Sequence, residues 1–332
     1  MTFAWKQASS YVDHAVAGEM MDMFVAAGGK HFDTARIYAA GASEEMAGDI
    51  MAGNKSHHKY TIITKAHPSQ PGGLSPQGIR DQLTASLKAI QVDKVAVLYL
   101  HQPDTLNALT ESLACVSELI ADGKVESFGL SNYSVAETER VLAICAEKQY
   151  PAPVVFQGLY NPINRRVASE LLPLLKKNDI AFVAYNPLAA GMLTGKHKRD
   201  QEVQTGRFKD NKNYLDRFYK PDTFDALDII SKACDKAELS MTQATYSWML
   251  YHSGLGENDG VLLGASKVGH LKENLACCSA AAPLPEEVQI AFDKAWKITK
   301  PDAFAFWRGY SLDMPGKDDM DPGATYVAGG KK

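Results

Sequence analysis

Val95-Ala-Val-Leu-Tyr-Leu-His101 is an unbroken apolar run that ends on an imidazole side chain. Tyr60-Thr-Ile-Ile-Thr-Lys65 is a second such run, rich in β-branched residues, and it ends on an ammonium group. Continuous runs of this kind are typical of parallel strands that are buried on both faces, whereas half-exposed strands alternate. Each run therefore predicts one strand of a parallel sheet with a polar residue at its carboxyl end.

Eight runs of this type alternate with longer helical patterns along the 332 residues. Strands are predicted at residues 2–5, 31–33, 60–65, 94–100, 125–130, 153–156, 180–184 and 260–263. Helices are predicted at residues 10–28, 42–52, 76–91, 105–122, 134–148, 165–178, 222–237 and 267–281. Eight βα units in one chain of this size predict an α/β protein with a (β/α)8 TIM barrel.

Some segments lie outside this repeat. Residues 240–251 and 286–298 are predicted to form extra helices, and residues 187–221 form a long loop, which is usually a functional feature at such a length. We expect the barrel to occupy residues 1–312. The residues that follow, 313–332, are rich in Asp, Gly and Pro and are predicted to form a flexible tail.

The composition is that of an ordinary globular protein, with 45% hydrophobic and 22% charged residues. A net charge of −4 argues against a nucleic-acid partner, and no apolar run approaches the roughly 18 residues of a membrane helix. The five cysteines are scattered without a CxxC motif, and the first residues lack the pattern of a secretion signal, which indicates a cytoplasmic protein. The neighbouring histidines His57 and His58 have no third ligand in view, so no metal site is expected.

Polar residues at strand ends predict where the chemistry takes place. Asp33 ends the short run at residues 31–33, and Tyr38 lies five residues further on. Burying a lysine or a histidine is costly unless the group is paired or functional. Because the carboxyl ends of barrel strands form the face that carries active sites, we expect these two residues to meet Lys65 and His101 there.

Each of the four residues also has a structural interpretation when it is considered alone. Asp33 could cap a loop, His101 could be a hydrogen-bonded core histidine, and Tyr38 could be a packing residue. Their joint occurrence at matching strand ends favours a proton-transfer site. In such a site the ammonium group of Lys65 would stabilise the Tyr38 phenolate, Asp33 would hold that ammonium group, and His101 would orient a carbonyl.

Several longer motifs carry a family resemblance. They are Asp33-Thr-Ala-Arg-Ile-Tyr38, Ile63-Thr-Lys65, Tyr99-Leu-His101, Gly129-Leu-Ser-Asn-Tyr133, Gln157-Gly-Leu-Tyr-Asn161, Ala184-Tyr-Asn-Pro-Leu188, Gly191-Met-Leu-Thr-Gly-Lys196, Gly206-Arg-Phe208 and Leu263-Gly-Ala-Ser-Lys267. Between residues 10 and 310 the chain resembles the aldo-keto reductases, and within them the aflatoxin-aldehyde reductase subfamily. The resemblance implies NADPH-dependent reduction of aldehydes to alcohols, with Tyr38 as the proton donor.

The resemblance also implies a set of cofactor-binding residues. Ser131, Asn132 and Gln157 would hold the nicotinamide carboxamide, and Tyr185 would stack on the nicotinamide ring. The remaining members would hold the pyrophosphate and the adenosine 2′-phosphate; they are Asn186, Pro187, Leu188, Gly191, Leu193, Gly195, Lys196, Arg207, Ser266, Lys267, His270 and Asn274. A serine and a lysine at the start of a helix suit a phosphate on physical grounds as well. A GxGxxG fingerprint after a strand is absent.

Two arginines are candidates for binding the substrate beside His101. Arg217 and Arg308 match positions that bind a carboxylate in the subfamily, which implies carboxylated or dicarbonyl aldehydes, although both could also be surface arginines. The subfamily also implies a homodimer. The chain departs from the family in lacking an N-terminal hairpin, in having a shortened first strand, and in having His270 where an arginine is common.

Two alternative functions fit the same resemblance. One is an aryl-alcohol dehydrogenase that works mainly in the direction of oxidation. The other is an NADPH-binding regulatory subunit with little turnover, similar to the channel β-subunits that resemble this family.

Overall fold

A parallel sheet forms the centre of the molecule. The computed structural model describes residues 2–6, 10–53, 60–199, 201, 203 and 206–324. Its strands are β1 His31–Asp33, β2 Thr61–Ala66, β3 Val95–Leu100, β4 Val125–Ser131, β5 Val155–Leu159, β6 Ala181–Tyr185 and β7 Gly260–Val261. They pair in chain order, and every neighbouring pair is parallel. The predicted α/β fold, with a parallel sheet built from βα units, is therefore confirmed.

Helices connect and cover the strands. They are α1 His14–Ala26, α2 Ala42–Gly53, α3 Pro76–Ile90, α4 Leu109–Ala121, α5 Val135–Lys148, α6 Arg166–Glu170, α7 Leu172–Lys177, α8 Lys212–Phe218, α9 Pro221–Lys236, α10 Met241–Tyr251, α11 Val268–Ser279 and α12 Glu286–Thr299. Among the described residues, no helix is both long and apolar enough to cross a membrane.

Local signals in the sequence explain the helix ends. The hydroxyl of Ser75 accepts a hydrogen bond from the backbone N–H of Gly78, and Pro76 occupies the first turn of α3. Serine is a preferred residue at the N-cap of a helix, and proline is a preferred residue in its first turn. The predicted helix 165–178 is instead split into α6 and α7 at Leu171. Pro173 explains the break, because proline fits the first turn of a helix and interrupts its interior.

The first predicted strand, at residues 2–5, is not formed. Phe3 makes one isolated bridge with Val12, and Ala4 has a left-handed backbone with φ of 58°. A left-handed residue breaks an extended run. Among the described residues the sheet therefore has seven strands, and it lies open between β1 and β7.

An apolar cluster lies next to this opening. Met20 of α1 and Met46 of α2 belong to it together with Leu271 of α11, and Phe3 packs against them. Helix α1 therefore lies between α2 and α11. It lies beside β1 and β7, the two edge strands, each of which pairs with a neighbouring strand on one side only.

The end of the chain contacts the barrel further than expected. The carboxylate of Asp313, the first residue of the predicted flexible tail, pairs with Arg140 and accepts the backbone N–H of Leu109 at 2.8 Å. The backbone N–H of Ala324 donates to the carbonyl of Trp307 at 2.9 Å. Residues 313–324 are thus held by hydrogen bonds, and residues 325–332 lie outside the described residues.

The neighbouring histidines His57 and His58 also lie outside the described residues.

Gly48 allows α2 and α3 to approach each other closely. A Cβ atom there would overlap the carbonyl oxygen of Ala89 and the backbone of Ile90, neither of which can rotate away. We expect Gly48→Ala to lower the free energy of unfolding by about 1–3 kcal/mol, as overpacking does. The midpoint of urea unfolding measures this change.

Gly18 in α1 provides the matched control, since the nearest heavy atom to a Cβ there is the Ile50 Cγ2, at 4.0 Å. Gly18→Ala should leave stability unchanged or raise it by up to about 1 kcal/mol through helix propensity. Equal midpoints for the two variants would contradict the close approach of α2 and α3.

Candidate active site

The strand ends deliver the predicted catalytic residues to one cleft. It has a volume of about 1750 Å³. Asp33 at the end of β1, Tyr38 in the following turn, and His101 directly after β3 all line it. Lys65 belongs to β2, and its side chain is fully buried beneath these residues.

A buried ion pair joins two of these residues. The ammonium group of Lys65 donates to a carboxylate oxygen of Asp33 and to the carbonyl of Thr34, the latter at 2.7 Å. Burial lowers the pKa of Lys65, and the negative charge of Asp33 opposes this effect. The other carboxylate oxygen of Asp33 accepts from the Gln157 amide at 2.8 Å. Asp33 therefore holds a lysine in a place where an unpaired ammonium group would be strongly disfavoured.

Tyr38 lies between this ion pair and the imidazole. The Lys65 Nζ is 5.1 Å from the centroid of its ring, and the His101 ring meets it edge to face at 5.7 Å. A positive charge this close to a phenol favours the phenolate form electrostatically. The phenol, the amine and the imidazole are thus neighbours, as the sequence predicted.

His101 is held neutral by its surroundings. Burial lowers its pKa well below the usual value, and the nearby His67, Lys65 and Arg308 lower it further. Its Nδ1 is buried and has no hydrogen-bond partner among the described residues. A neutral imidazole carries one N–H, which can donate to a carbonyl oxygen.

The residues predicted to hold a carboxamide lie beside this group. The Asn132 amide donates to the His101 carbonyl at 2.8 Å and to the Ser131 hydroxyl at 2.9 Å. Its oxygen accepts the Tyr185 hydroxyl at 2.8 Å. Asn132, Gln157 and Tyr185 all line the cleft, although the structure also ties each of them to another protein group.

Most residues predicted to bind phosphate line the same cleft. Those that do are Asn186, Pro187, Leu188, Gly191, Lys196, Arg207, Ser266, His270 and Asn274. Three others do not line it: Leu193 is buried in the core, Gly195 ends a 3-10 turn with φ of 75°, and Lys267 precedes α11.

Positive charge is concentrated around Lys196. Desolvation at the wall lowers the pKa of Lys196, and the charges of Arg207 and Lys267 lower it further. Desolvation, Lys196 and Lys267 also lower the pKa of His270, against the opposing effect of Glu273. Among the described residues, Lys196, Arg207 and Lys267 form no ion pair with a carboxylate. An anion such as a phosphate would relieve their mutual repulsion.

Arg207 is held at the edge of the cleft by aromatic rings. Its guanidinium lies 5.4 Å from the Trp5 ring and 5.3 Å from the Tyr214 ring, and it donates to the Asn186 side chain at 3.5 Å. Tyr214 belongs to α8, which lies within the segment 187–221 that was predicted as loop.

The two predicted substrate arginines reach the same cleft from different segments. The Arg217 guanidinium lies 5.3 Å from the Phe304 ring. The backbone N–H of Arg308 donates to the Asn132 carbonyl at 2.9 Å, which fixes its position beside the strand ends. Both arginines line the cleft.

His67 is a cleft residue that sequence reasoning missed. Its ring meets that of His101 edge to face at 4.8 Å, and its Nδ1 accepts the backbone N–H of Ser69 at 3.0 Å. Burial lowers its pKa to about 4. It follows the end of β2 directly, so its position after a buried strand was the signal that could have found it.

Comparisons with known proteins show what this chain is similar to. A family model described as the aldo/keto reductase family matches residues 1–297. The chain is 36% identical over 310 residues to the aflatoxin B1 aldehyde reductase member 2 of Mus musculus, covering 90% of this chain and 84% of that protein. It is 34% identical over 310 residues to the aldo-keto reductase family 7 member A3 of Homo sapiens, covering 90% of this chain and 93% of that protein.

A solved structure shows the same fold. The glycerol dehydrogenase AKR11B4 from Gluconobacter oxydans superposes with a TM-score of 0.72 at 22% identity, covering 90% of this chain and 89% of that one. The predicted barrel architecture and the predicted resemblance are both confirmed. The chain belongs to the aldo/keto reductase family.

Proposed function

We propose that this protein reduces aldehydes to alcohols with NADPH as the hydride donor. The observation that carries the proposal is the buried pair of Lys65 and Asp33 beneath Tyr38, beside the neutral imidazole of His101. Membership of the aldo/keto reductase family and the similarity to aldehyde reductases support it.

The cleft fits a dinucleotide with an extra phosphate. Lys196 and Arg207 line the cleft and, together with the nearby Lys267, suit phosphate groups, and Tyr185 lines the same cleft as the proposed catalytic residues. Ser131, Asn132 and Gln157 would hold the carboxamide. When it is bound there, NADPH supplies a hydride to the carbonyl carbon. The reaction consumes one proton for each hydride, and the chain has to deliver it.

Tyr38 delivers that proton in the proposed mechanism. Its phenolic O–H donates to the carbonyl oxygen, on which negative charge develops as the carbon is reduced. Lys65 stabilises the resulting phenolate, and Asp33 keeps Lys65 charged and in place. The N–H of His101 donates to the same oxygen and so orients the carbonyl. Solvent then returns a proton to Tyr38 before the next turnover.

Arg217 and Arg308 would select the substrate. Both arginines line the cleft, and a planar guanidinium matches a carboxylate or a pair of oxygens in shape and charge. We therefore infer carboxylated or dicarbonyl aldehydes as the preferred class.

A cytoplasmic location and a homodimer complete the proposal. All five cysteines are free thiols, and four of them are buried, which suits a reducing compartment. Light scattering coupled to size-exclusion chromatography tests the dimer, since a monomer mass would contradict it.

Removing the Tyr38 hydroxyl should sharply lower turnover without abolishing cofactor binding. We expect Tyr38→Phe to lower kcat by about 10²- to 10⁴-fold, the usual contribution of a general acid. The assay follows the loss of NADPH absorbance with 4-nitrobenzaldehyde or succinic semialdehyde, and fluorescence titration measures the Kd for NADPH. Tyr251→Phe, at an exposed tyrosine on α10, is the matched control.

The outcomes of this assay separate the competing functions. Full activity of Tyr38→Phe would rule out the assigned proton donor. Tight NADPH binding by the unmodified protein without turnover of either aldehyde would favour a regulatory subunit instead.

The charge of Lys267 should favour NADPH over NADH. We expect Lys267→Ala to raise the KM for NADPH by about tenfold, the size of one charge-assisted hydrogen bond, and to leave the KM for NADH nearly unchanged. Steady-state kinetics with both cofactors measure this. Lys272→Ala, at an exposed lysine of the same helix, is the control. Equal changes for both cofactors would place the 2′-phosphate elsewhere.

A further inference from the structure

We propose that Arg36 is a positioning residue for Tyr38, and that it acts by tying the turn at residues 38–41 to Glu44. The proposal deepens the proposed function and rests on it, because Tyr38 is assigned there as the proton donor.

The turn that carries Tyr38 has an unfavourable backbone conformation. Ala39 and Ala40 are left-handed, with φ of 49° and 55°, and Gly41 follows with φ of 98°. The backbone N–H of Ala40 donates to the Ile37 carbonyl at 3.3 Å, but an alanine side chain cannot add the local hydrogen bond by which asparagine or aspartate eases this conformation. Contacts from outside the turn therefore help to fix the direction in which Tyr38 leaves the backbone.

The guanidinium of Arg36 supplies such contacts. Its Nη1 donates to the Glu44 carboxylate at 2.7 Å, and its Nη2 lies 3.5 Å from the carbonyl oxygen of Ala40. A Cβ atom at Gly41 would overlap this Nη2, so the turn is wrapped directly against the guanidinium. The Arg36 side chain is only 14% exposed.

Glu44 connects this arrangement to the strand that carries Lys65. Its side chain is fully buried, and its second carboxylate oxygen accepts the Thr64 hydroxyl at 2.6 Å. Thr64 directly precedes Lys65, and the backbone N–H of Arg36 donates to the Lys65 carbonyl at 3.4 Å. Arg36 and Glu44 therefore fix the turn of Tyr38 relative to the backbone of Lys65.

A purely stabilising role is the alternative for this pair. Buried ion pairs are often no more stabilising than apolar side chains of the same volume, so stability alone is a weak reason for one. The guanidinium fork reaches Glu44 and Ala40 together, which a point charge on a flexible stem does not do with the same geometry. The two roles differ in what they predict for kcat in a folded variant.

The test compares Arg36→Met and Arg36→Lys with the unmodified enzyme, well below the melting temperature. We expect Arg36→Met to lower kcat by about 10- to 100-fold, the effect of a misplaced reacting group, with an unchanged Kd for NADPH. Arg36→Lys should recover part of this loss. Arg80→Met, which breaks an exposed ion pair with Glu118 away from the turn, should leave kcat unchanged.

A second readout is independent of turnover. In protein labelled with ¹³C at the tyrosine Cζ, the resonance of Tyr38 is assigned by its loss in Tyr38→Phe. We expect this resonance to shift in Arg36→Met and its titration midpoint to rise, because the phenol moves away from Lys65. A role in stability alone would lower the melting temperature and leave the resonance unmoved.

An unchanged kcat together with an unmoved Tyr38 resonance in folded Arg36→Met would overturn the proposal. If the single variant does not fold because Glu44 is left buried and unpaired, the double variant Arg36→Met with Glu44→Gln carries the same test. If neither folds, Arg36→Lys decides, and wild-type values for both readouts overturn the proposal. Absence of aldehyde reduction by the unmodified protein would refute the proposed function, while the resonance still reports on Arg36.

Discussion

The ion pair between Lys65 and Asp33 is the interaction around which this site is built. A fully buried ammonium group is tolerated only with a charged partner and hydrogen bonds, and the Asp33 carboxylate and the Thr34 carbonyl provide both. These partners belong to β1 and to the residue after it, whereas Lys65 belongs to the neighbouring strand β2. The pairing of two strands and the charge state of the site therefore depend on each other.

The other elements of the site are arranged around this pair. Gln157, in β5, donates to the second carboxylate oxygen of Asp33. Next to the turn of Tyr38, one carboxylate oxygen of Glu44 accepts a hydrogen bond from Arg36, and the other accepts one from Thr64. Burial raises the pKa of Glu44, and Thr64, Ser86, Arg36 and Lys65 counteract this. Polar groups at the strand ends are thus connected by hydrogen bonds, and a partly satisfied network would be costly at such buried positions.

Two groups of residues in the site differ in their electrostatics. Around His101 the imidazoles are neutral, because burial and nearby cations disfavour a further positive charge. Around Lys196, desolvation and the neighbouring charges of Arg207 and Lys267 lower the pKa of its ammonium group. The first environment suits hydrogen bonding to an uncharged carbonyl, and the second suits phosphate groups. In the proposed reaction the aldehyde would meet the first group and the phosphates of NADPH would meet the second.

The periodicity of the sequence determined most of the sheet and the four residues at its strand ends, because buried parallel strands have a strong local signature and their polar ends stand out from it. Tertiary structure decided what local patterns do not encode. The strand predicted at residues 2–5 is absent, since Ala4 has a left-handed backbone. The roles of His67 and Arg36 depend on His101 and Glu44, which the fold brings into contact with them. Asp313 meets Leu109 and Arg140 across a long stretch of chain. Such contacts depend on how distant segments pack, and no spacing along the chain specifies them.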